Sequence, residues 1–394
     1  MDVVLKRGRE ASLLGRHPWV FSGAIRTITA EPASGETVNV LSDRGEWLAR
    51  GAFSPQSQIR VRAWTFDPDE QVDAAFFQRR LANALELRKR LAMVWPTRAF
   101  RLCNAESDGL PGVVIDRYGP WFAGQFLSAG AERWKAEIAD AALKVLPGSG
   151  FYERSDVEVR TKEGLPQATG VLAGKEPPEL FEIDDNGPRM LVDIRRGHKT
   201  GMYLDQASNR REVRRLVQMS RGDVLNAFCY TGGFGLHAAA GQANRIVQLD
   251  QSADALEVAQ ENATLNEYIN EFEYIQGNAF DELRRLREAG RNFDVVILDP
   301  PKFAAGAAQL ERAAGAYKDI NLLGAQLTKP GGWLLTFSCS GHMTPSLFSQ
   351  VVADALVDAG RDGQVVQPLT QSPDHPVSIH YPEGHYLKGL LLRV

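Results

Sequence analysis

Two short strings hold the groups best suited to chemistry. Asp299-Pro300-Pro301-Lys302 directly follows the apolar run Val295-Val296-Ile297-Leu298, and Ser338-Cys339-Ser340 directly follows Trp333-Leu334-Leu335-Thr336-Phe337. Both runs read as strands, and in an open parallel sheet the ligand crevice lies beyond the carboxyl ends of the strands. An acid and a thiol at two such ends would therefore share one site. A thiolate there is a nucleophile that splits one hard substitution into easier steps. Carbon 5 of cytosine or uracil accepts a methyl group poorly until a thiolate has added to carbon 6, which makes carbon 5 enamine-like. A base then removes the carbon-5 proton and the thiol leaves. Because an ordinary thiol has a pKa of roughly 8.5, the site needs a cationic neighbour, and Lys302 is the candidate. Asp299 would hold the pyrimidine edge near nitrogen 3, where charge develops. For the base, the tail offers Asp374-His375-Pro376 and Tyr381-Pro382-Glu383-Gly384, of which Glu383 is chosen.

The elements that must position these groups alternate in type. Strands are expected at 223–228, 245–249, 273–276, 294–298 and 332–338, with helices between, one capped by Ser252 and carrying Leu256, Ala259 and Ala263. Such alternation implies a parallel, doubly wound α/β sheet. Two more strands, near 364–369 and 386–394, have no helix between them and should form an antiparallel pair at one edge. The first strand enters Asn226-Ala227-Phe228-Cys229-Tyr230-Thr231-Gly232-Gly233-Phe234-Gly235, where glycines permit a sharp turn and close approach to a helix N-terminus. Its spacing differs from the G-x-G-x-x-G of dinucleotide binders. Asp250 ends the second strand, where nucleotide-binding folds hold ribose hydroxyls. Asn278 follows the third strand at an adenine-contacting position where many methyltransferases carry Asp. Loop, acid and Asp-Pro-Pro together favour S-adenosylmethionine over NAD. Asn226, Phe228, Tyr230, Thr231, Gly232, Gly233, Asp250, Asn278 and Asp299 would contact it, with Tyr203 and Gln206 of the string His198–Gln206 capping the pocket.

The chain has 394 residues, enough for two or three domains. Runs at 37–41, 47–51 and 59–64 suggest a small β-barrel. Asp67-Pro68-Asp69 marks a boundary, and an amphipathic helix carrying Ala74, Phe77, Leu81, Ala84, Leu85 and Leu91 follows. Strand and hairpin signals return over 100–165, with one helix expected at 131–146. The Gly/Pro/acid-rich stretch from Gly174 to Gly187 closes this part, giving modules at 1–70, 71–185 and 186–394. Net charge is −4, but residues 1–65 hold nine Lys and Arg against six acids, so the first module is basic within a more acidic chain. Arg7, Arg9, Arg16, Arg60 and Arg62 are its candidate phosphate contacts. No apolar run approaches the roughly 18 residues of a membrane span, and the first residues lack a secretory leader. Cys103, Cys229 and Cys339 show no metal-ligand spacing, so no metal is expected. A reduced, cytoplasmic protein is the simplest reading. Cys103 and Cys229 read as core.

Taken together, these residues resemble the large-subunit ribosomal RNA methyltransferase I family, which makes 5-methylcytosine in 23S rRNA. The resemblance starts at Arg7-Gly8-Arg9-Glu10 and Arg16-His17-Pro18-Trp19-Val20-Phe21-Ser22-Gly23-Ala24. It continues through Glu106-Ser107-Asp108-Gly109-Leu110-Pro111-Gly112, Gly197-His198-Lys199-Thr200-Gly201, Tyr203-Leu204-Asp205-Gln206 and Tyr230-Thr231-Gly232-Gly233-Phe234. Asp299-Pro300-Pro301-Lys302-Phe303, Gly315-Ala316-Tyr317-Lys318-Asp319-Ile320-Asn321, Phe337-Ser338-Cys339-Ser340-Gly341 and Tyr381-Pro382-Glu383-Gly384 complete it. It implies an N-terminal PUA β-barrel that binds RNA, a central α+β domain and a C-terminal class I (Rossmann-like) methyltransferase domain. Also implied are a cytosine of 23S rRNA or of a large-subunit precursor as substrate, and Cys339 as nucleophile. Other RNA 5-methylcytosine enzymes carry a second cysteine after the aspartate of this motif. Here Pro300-Pro301-Lys302 stands instead, as in RNA 5-methyluridine enzymes, so a different group must release the product. Three competing readings are an RNA methyltransferase acting on a purine nitrogen, a small-molecule methyltransferase, and a non-catalytic rRNA-binding assembly factor. Monomer and homodimer are both open.

Overall fold

In a computed structural model, residues 1–92, 97–303 and 306–394 are described. Three sheets account for most of the strands. The first contains β1 (Asp2–Leu5), β2 (Trp19–Phe21), β3 (Ile25–Ile28), β4 (Thr37–Leu41), β5 (Trp47–Phe53) and β6 (Ile59–Thr65), with the short helix α1 (Ala11–Leu14) between β1 and β2. Its order is β2-β6-β5-β4-β1-β3. Alternation explains it: Val38 and Val40 of β4 and Val61 and Ala63 of β6 point inward, with Val3, Leu5, Val20 and Phe53. Strands β1 to β3 went unread because each is only three or four residues long.

Helix α2 (Ala74–Ala92) leads into the second sheet, β7 (Ala99–Asn104), β8 (Val113–Tyr118), β9 (Trp121–Phe126), β10 (Gly150–Ser155) and β11 (Ala168–Gly174). These strands lie in the order β11-β10-β9-β8-β7. The single helix expected at 131–146 is instead two, α3 (Ala129–Arg133) and α4 (Lys135–Val145). Trp134 breaks it with φ −104° and ψ 9°, and its ring lies 5.2 Å from that of Phe77 on α2. A two-stranded ladder follows, β12 (Phe181–Asp184) with β13 (Arg189–Val192).

After α5 (Ala207–Ser220) comes the third sheet. Its parallel part alternates strands and helices: β14 (Val224–Ala227), α6 (Gly233–Ala240), β15 (Arg245–Asp250), α7 (Ala253–Leu265), β16 (Glu271–Gln276), α8 (Ala279–Glu288), β17 (Phe293–Leu298), α9 (Leu310–Leu327) and β18 (Thr328–Ser338). Then α10 (Pro345–Asp358), β19 (Gln364–Leu369) and β20 (Lys388–Arg393) complete it. The order is β16-β15-β14-β17-β18-β20-β19. The four strand pairs from β16 to β18 are parallel. As expected, β19 and β20 pair antiparallel at one edge, with β20 also antiparallel to β18. Strand order reverses between β14 and β17, so the loops after them flank the switch point where α/β sheets bind ligands. Among the described residues, no helix is long and apolar enough to cross a membrane.

The described chain forms two compact units. Unit 1 comprises Met1–Ile183, Val192–Leu204 and Pro373–Gly384; unit 2 comprises Asp184–Leu191, Asp205–Ser372 and His385–Val394. Buried ion pairs secure the outlying segments of unit 1. Asp116 accepts two bonds from Arg101, at 2.8 and 2.9 Å, and one from Thr200 Oγ1 at 2.5 Å. The Tyr118 hydroxyl lies 2.9 Å from the same Thr200 oxygen. Arg88 grips both oxygens of Asp108 at 2.7 Å and donates to the Asp374 carbonyl at 2.8 Å.

Candidate active site

The site is built in unit 2, at the carboxyl ends of the parallel strands. After β14 the chain turns through three left-handed residues, Phe228 (φ 61°), Tyr230 (φ 50°) and Gly232 (φ 84°). For the two aromatic residues this conformation is costly and persists only where the surroundings impose it. Here they do so through backbone bonds from Cys229 N–H to the Leu249 carbonyl at 3.0 Å and from Gly232 N–H to the Cys229 carbonyl at 2.9 Å. Asp250 adds a side-chain bond, one oxygen accepting from Tyr230 N–H at 2.7 Å and the other from Ser252 N–H at 3.0 Å. A carboxylate has about four acceptor sites, so it retains capacity for ligand hydroxyls.

Buried amides brace the loop from beneath. Asn226 Nδ2 donates to Gln248 Oε1 at 2.7 Å, Gln248 Nε2 to the Gly232 carbonyl at 3.2 Å, and Asn262 Nδ2 to the Thr231 carbonyl at 3.0 Å. All three side chains are fully buried. Asn226, expected to touch the cofactor, thus spends its amide nitrogen on this brace. Gln248 and Asn262 escaped the sequence reading, although each is a polar residue on an otherwise apolar face, and that is a detectable signal. A Cβ on Gly235 would lie 2.1 Å from Gln248 Nε2. Gly235→Ala is therefore expected to displace the amide and unpin the loop. Losing one or two such bonds costs about 1–2 kcal/mol, so calorimetry should show cofactor affinity reduced by roughly tenfold or more. Unchanged affinity would mean that the amide does not govern the loop.

Beyond the loop, Gly233 opens α6, whose positive dipole end faces the strand ends. Asn278 caps α8, its Oδ1 accepting from Phe280 N–H at 2.9 Å. Asp299 directly follows β17 and is half-buried, whereas Lys302 is exposed. Strand β18 lies beside β17, with Leu298 opposite Thr336, so its terminal turn brings Cys339 to the same rim. Cys339 is half-buried, while Ser338 and Ser340 are fully buried. The Tyr317 hydroxyl on α9 is 3.2 Å from Ser340 Oγ, and burial pushes this phenol above its ordinary pKa. Lys388, which opens β20 opposite Ser338, donates to the carbonyls of Ser340 and Tyr386, both at 2.7 Å. Burial lowers its ammonium pKa, the charge of Cys339 opposes that, and Lys302 reinforces it. Lys388 was missed because it reads as the polar start of an apolar strand.

Other expected site residues fall elsewhere. Gln206 lies in unit 2, buried, its Oε1 accepting from Asn209 Nδ2 at 2.6 Å. Tyr203 lies in unit 1, with its hydroxyl 3.2 Å from His198 Nδ1 and the Lys199 ammonium 4.4 Å from its ring centre. Glu383 also belongs to unit 1, its carboxylate 3.3 Å from His17 Nε2. Arg7, Arg9 and Arg16 are exposed. Arg62 is instead committed within unit 1, largely buried, 2.9 Å from Glu163 and 4.0 Å from Glu106. Arg60 donates to the carbonyls of Ser54 and Pro55.

A switch-point sheet with a braced glycine loop, a ribose-side acid and an Asp-Pro-Pro turn defines a class I methyltransferase domain. Residues 158–382 match the S-adenosylmethionine-dependent methyltransferase family, and residues 3–66 match a PUA-like domain. A ribosomal RNA large subunit methyltransferase I from Aeromonas salmonicida is 52% identical over 392 residues, covering 99% of this chain and 98% of its own. Its namesake from Escherichia coli O157:H7 is 49% identical over 393 residues, covering 100% and 99%. A SAM-dependent methyltransferase structure from Streptococcus mutans superposes with a TM-score of 0.84 at 22% identity over both full chains. A methyltransferase structure complexed with SAH gives 0.85, also at 22% over both full chains; at that identity the likeness shows the fold. The chain belongs to the ribosomal RNA large subunit methyltransferase I family. Its cofactor is S-adenosylmethionine, and the donor set suits it: an acid at the ribose position, a loop held open by glycines, and polar groups after β16 and β17.

Proposed function

We propose that the protein methylates carbon 5 of a cytosine in 23S rRNA through a covalent adduct on Cys339. The observation that carries this reading is the convergence of Cys339 and Asp299 at one rim of the sheet, beside the cofactor loop. The cofactor supplies an electrophilic methyl group. Phe228, Tyr230, Thr231, Gly232, Gly233, Asp250 and Asn278 would hold it, with Tyr203 and Gln206 as further candidate contacts. The Cys339 thiolate adds to carbon 6 of the pyrimidine, pushing its electron pair towards carbon 5. Asp299, in its protonated form, would donate to nitrogen 3 of the pyrimidine, where the negative charge of the adduct develops. After methyl transfer, a base takes the carbon-5 proton, the C5–C6 double bond re-forms and the C6–S bond breaks. Glu383 is proposed as that base. The target base would be extruded from its stack to reach the thiol.

RNA containing 5-fluorocytidine tests the covalent step, because fluorine blocks proton release. Wild type with cofactor should form a denaturation-resistant adduct that maps to Cys339, and ordinary RNA should yield 5-methylcytidine by mass spectrometry. No adduct, or a methylated purine instead, would sink the proposal. With ordinary RNA, Glu383→Gln should accumulate the methylated adduct; free turnover would assign the base elsewhere.

The substrate reading also draws on the relatives' names and on the exposed arginines of the PUA-like domain. The three modules at 1–70, 71–185 and 186–394 would divide RNA binding from chemistry, in the cytoplasm, with a 23S rRNA or precursor partner. Replacing Arg7, Arg9 and Arg16 together by Ala should flatten the dependence of log affinity on log salt by about 2, given roughly 0.7 per lost phosphate contact. An unchanged slope would remove these residues from the RNA surface.

A further inference from the structure

We infer that Lys388 is a positioning residue for Cys339: its buried ammonium, held by the Ser340 carbonyl next to the cysteine and by the Tyr386 carbonyl of its own segment, orients the thiol and favours the thiolate. The inference rests on the reading of Cys339 as nucleophile. Three observations carry it. First, the β18–β20 register sets Lys388 opposite Ser338, the residue preceding the cysteine. Second, two of the three ammonium N–H groups are spent at 2.7 Å, one on the carbonyl of Ser340, the residue after the cysteine, and one on that of Tyr386, two residues before the lysine. Among the described residues the third has no acceptor, so it is available to a thiolate. Third, Lys388 is only 5% exposed, and a charge in that setting acts on a neighbour with little screening by water.

Burying an ammonium is expensive unless something answers its charge. Neutral carbonyls answer it in part, and a thiolate would answer it in full. An outer link steadies the clamp, since the Tyr386 hydroxyl donates to Asp205 Oδ2 at 2.7 Å. Among the described residues, Tyr317 on α9 also meets this turn, through Ser340 Oγ, and Lys302 after β17 acts on the Lys388 charge. Lys302, the cation expected from sequence, is exposed and therefore screened. Arginine at 388 would keep the charge but change the fork geometry, so charge and clamp can be separated.

The test is the pH profile of Cys339 alkylation by iodoacetamide, read by peptide mass spectrometry on the full chain without RNA or cofactor. Wild type should titrate below the ordinary thiol value of about 8.5. Lys388→Met should raise the midpoint by about one unit, slowing alkylation at pH 7 roughly tenfold, and Lys388→Arg should restore much of the shift. An unchanged midpoint in folded Lys388→Met, with thermal melting as the control, would overturn the inference. If that variant does not fold, a wild-type midpoint at or above 8.5 would overturn it equally. The 5-fluorocytidine adduct separates the two claims. Adduct formation with an unmoved alkylation profile defeats the role of Lys388 alone, whereas a moved profile without adduct defeats the covalent reading and leaves the Lys388–thiol coupling intact.

Discussion

Cys339→Ala should reduce methyl transfer by about four orders of magnitude or more while leaving the folded state intact. Removing a nucleophile from a concerted site costs rate on that scale, because no neighbouring group can form the same bond. The side chain is half-buried just after β18, at the margin of the apolar cluster it packs against, so its truncation leaves no large cavity. Cys103 and Cys229 provide the internal contrast. Both are buried, and burial pushes both thiols well above their ordinary pKa, which makes them poor nucleophiles. Alanine at Cys103 should thus leave activity unchanged in whatever fraction folds. Full activity of Cys339→Ala, measured with labelled cofactor on unmodified rRNA, would end the covalent mechanism.

Asp185→Ala should destabilise unit 2 by about 3–5 kcal/mol, the range for removing one partner of a buried ion pair. Asp185 accepts from Arg210 Nε at 2.6 Å and Nη2 at 2.9 Å, and lies 3.2 Å from His237 Nε2. All three residues are buried. The cluster sits below the cofactor loop, because a Cβ on Gly233 would meet Arg210 Cδ at 2.9 Å. Without the carboxylate, the buried guanidinium loses the counter-charge that accepts from its Nε and Nη2, and the loop should loosen as well. Burial raises the Asp185 carboxyl pKa, but the Arg210 charge and the bonds from His237 and Arg210 override it and hold the group well below its ordinary value. Its stabilisation is therefore complete above the unfolded carboxyl pKa of about 4 and declines as pH falls below that. Burial likewise lowers the His237 pKa, and among the described residues its Nδ1 has no hydrogen-bond partner, so a proton there would be buried without an acceptor. The unfolded chain takes up that proton below about pH 6.5 and the native state resists it, so stability falls with acidification in this window too. Urea midpoints at pH 7, 5 and 4 should decline in wild type. The step below pH 5 should be smaller in Asp185→Ala, and parallel declines would refute the assignment.

Much of this site was legible because its strands are uniform apolar runs and its reactive residues stand directly after them. The strands placed at 245–249 and 294–298 form as β15 and β17, with Asp250 and Asp299 at their ends. Ser252 caps α7 as expected, its Oγ accepting from Ala255 N–H at 3.2 Å. What stayed hidden depends on pairing across distance. Lys388 meets Ser340 across 48 positions and Asn262 meets Thr231 across 31, and no local pattern encodes either partner. Arg62 shows the converse. Its alternation with Val61 and Ala63 marks an outward face, yet that face is covered by Glu163 and Glu106, turning an expected phosphate contact into an internal ion pair. The interruption at Trp134 has the same origin, a tertiary contact overriding a continuous helical pattern.

The two units are also interleaved along the chain, which passes between them at positions 183, 191, 204, 372 and 384. A gene exchange that swapped the methyltransferase half at one breakpoint near residue 184 would carry away Thr200 from Asp116 and Tyr118, and Asp374 from Arg88 and Arg101. Wherever the incoming half lacks the matching residue, each stranded group would be a desolvated polar atom without its mate. Recombination at that boundary is thus tolerated only between parents that share these mates.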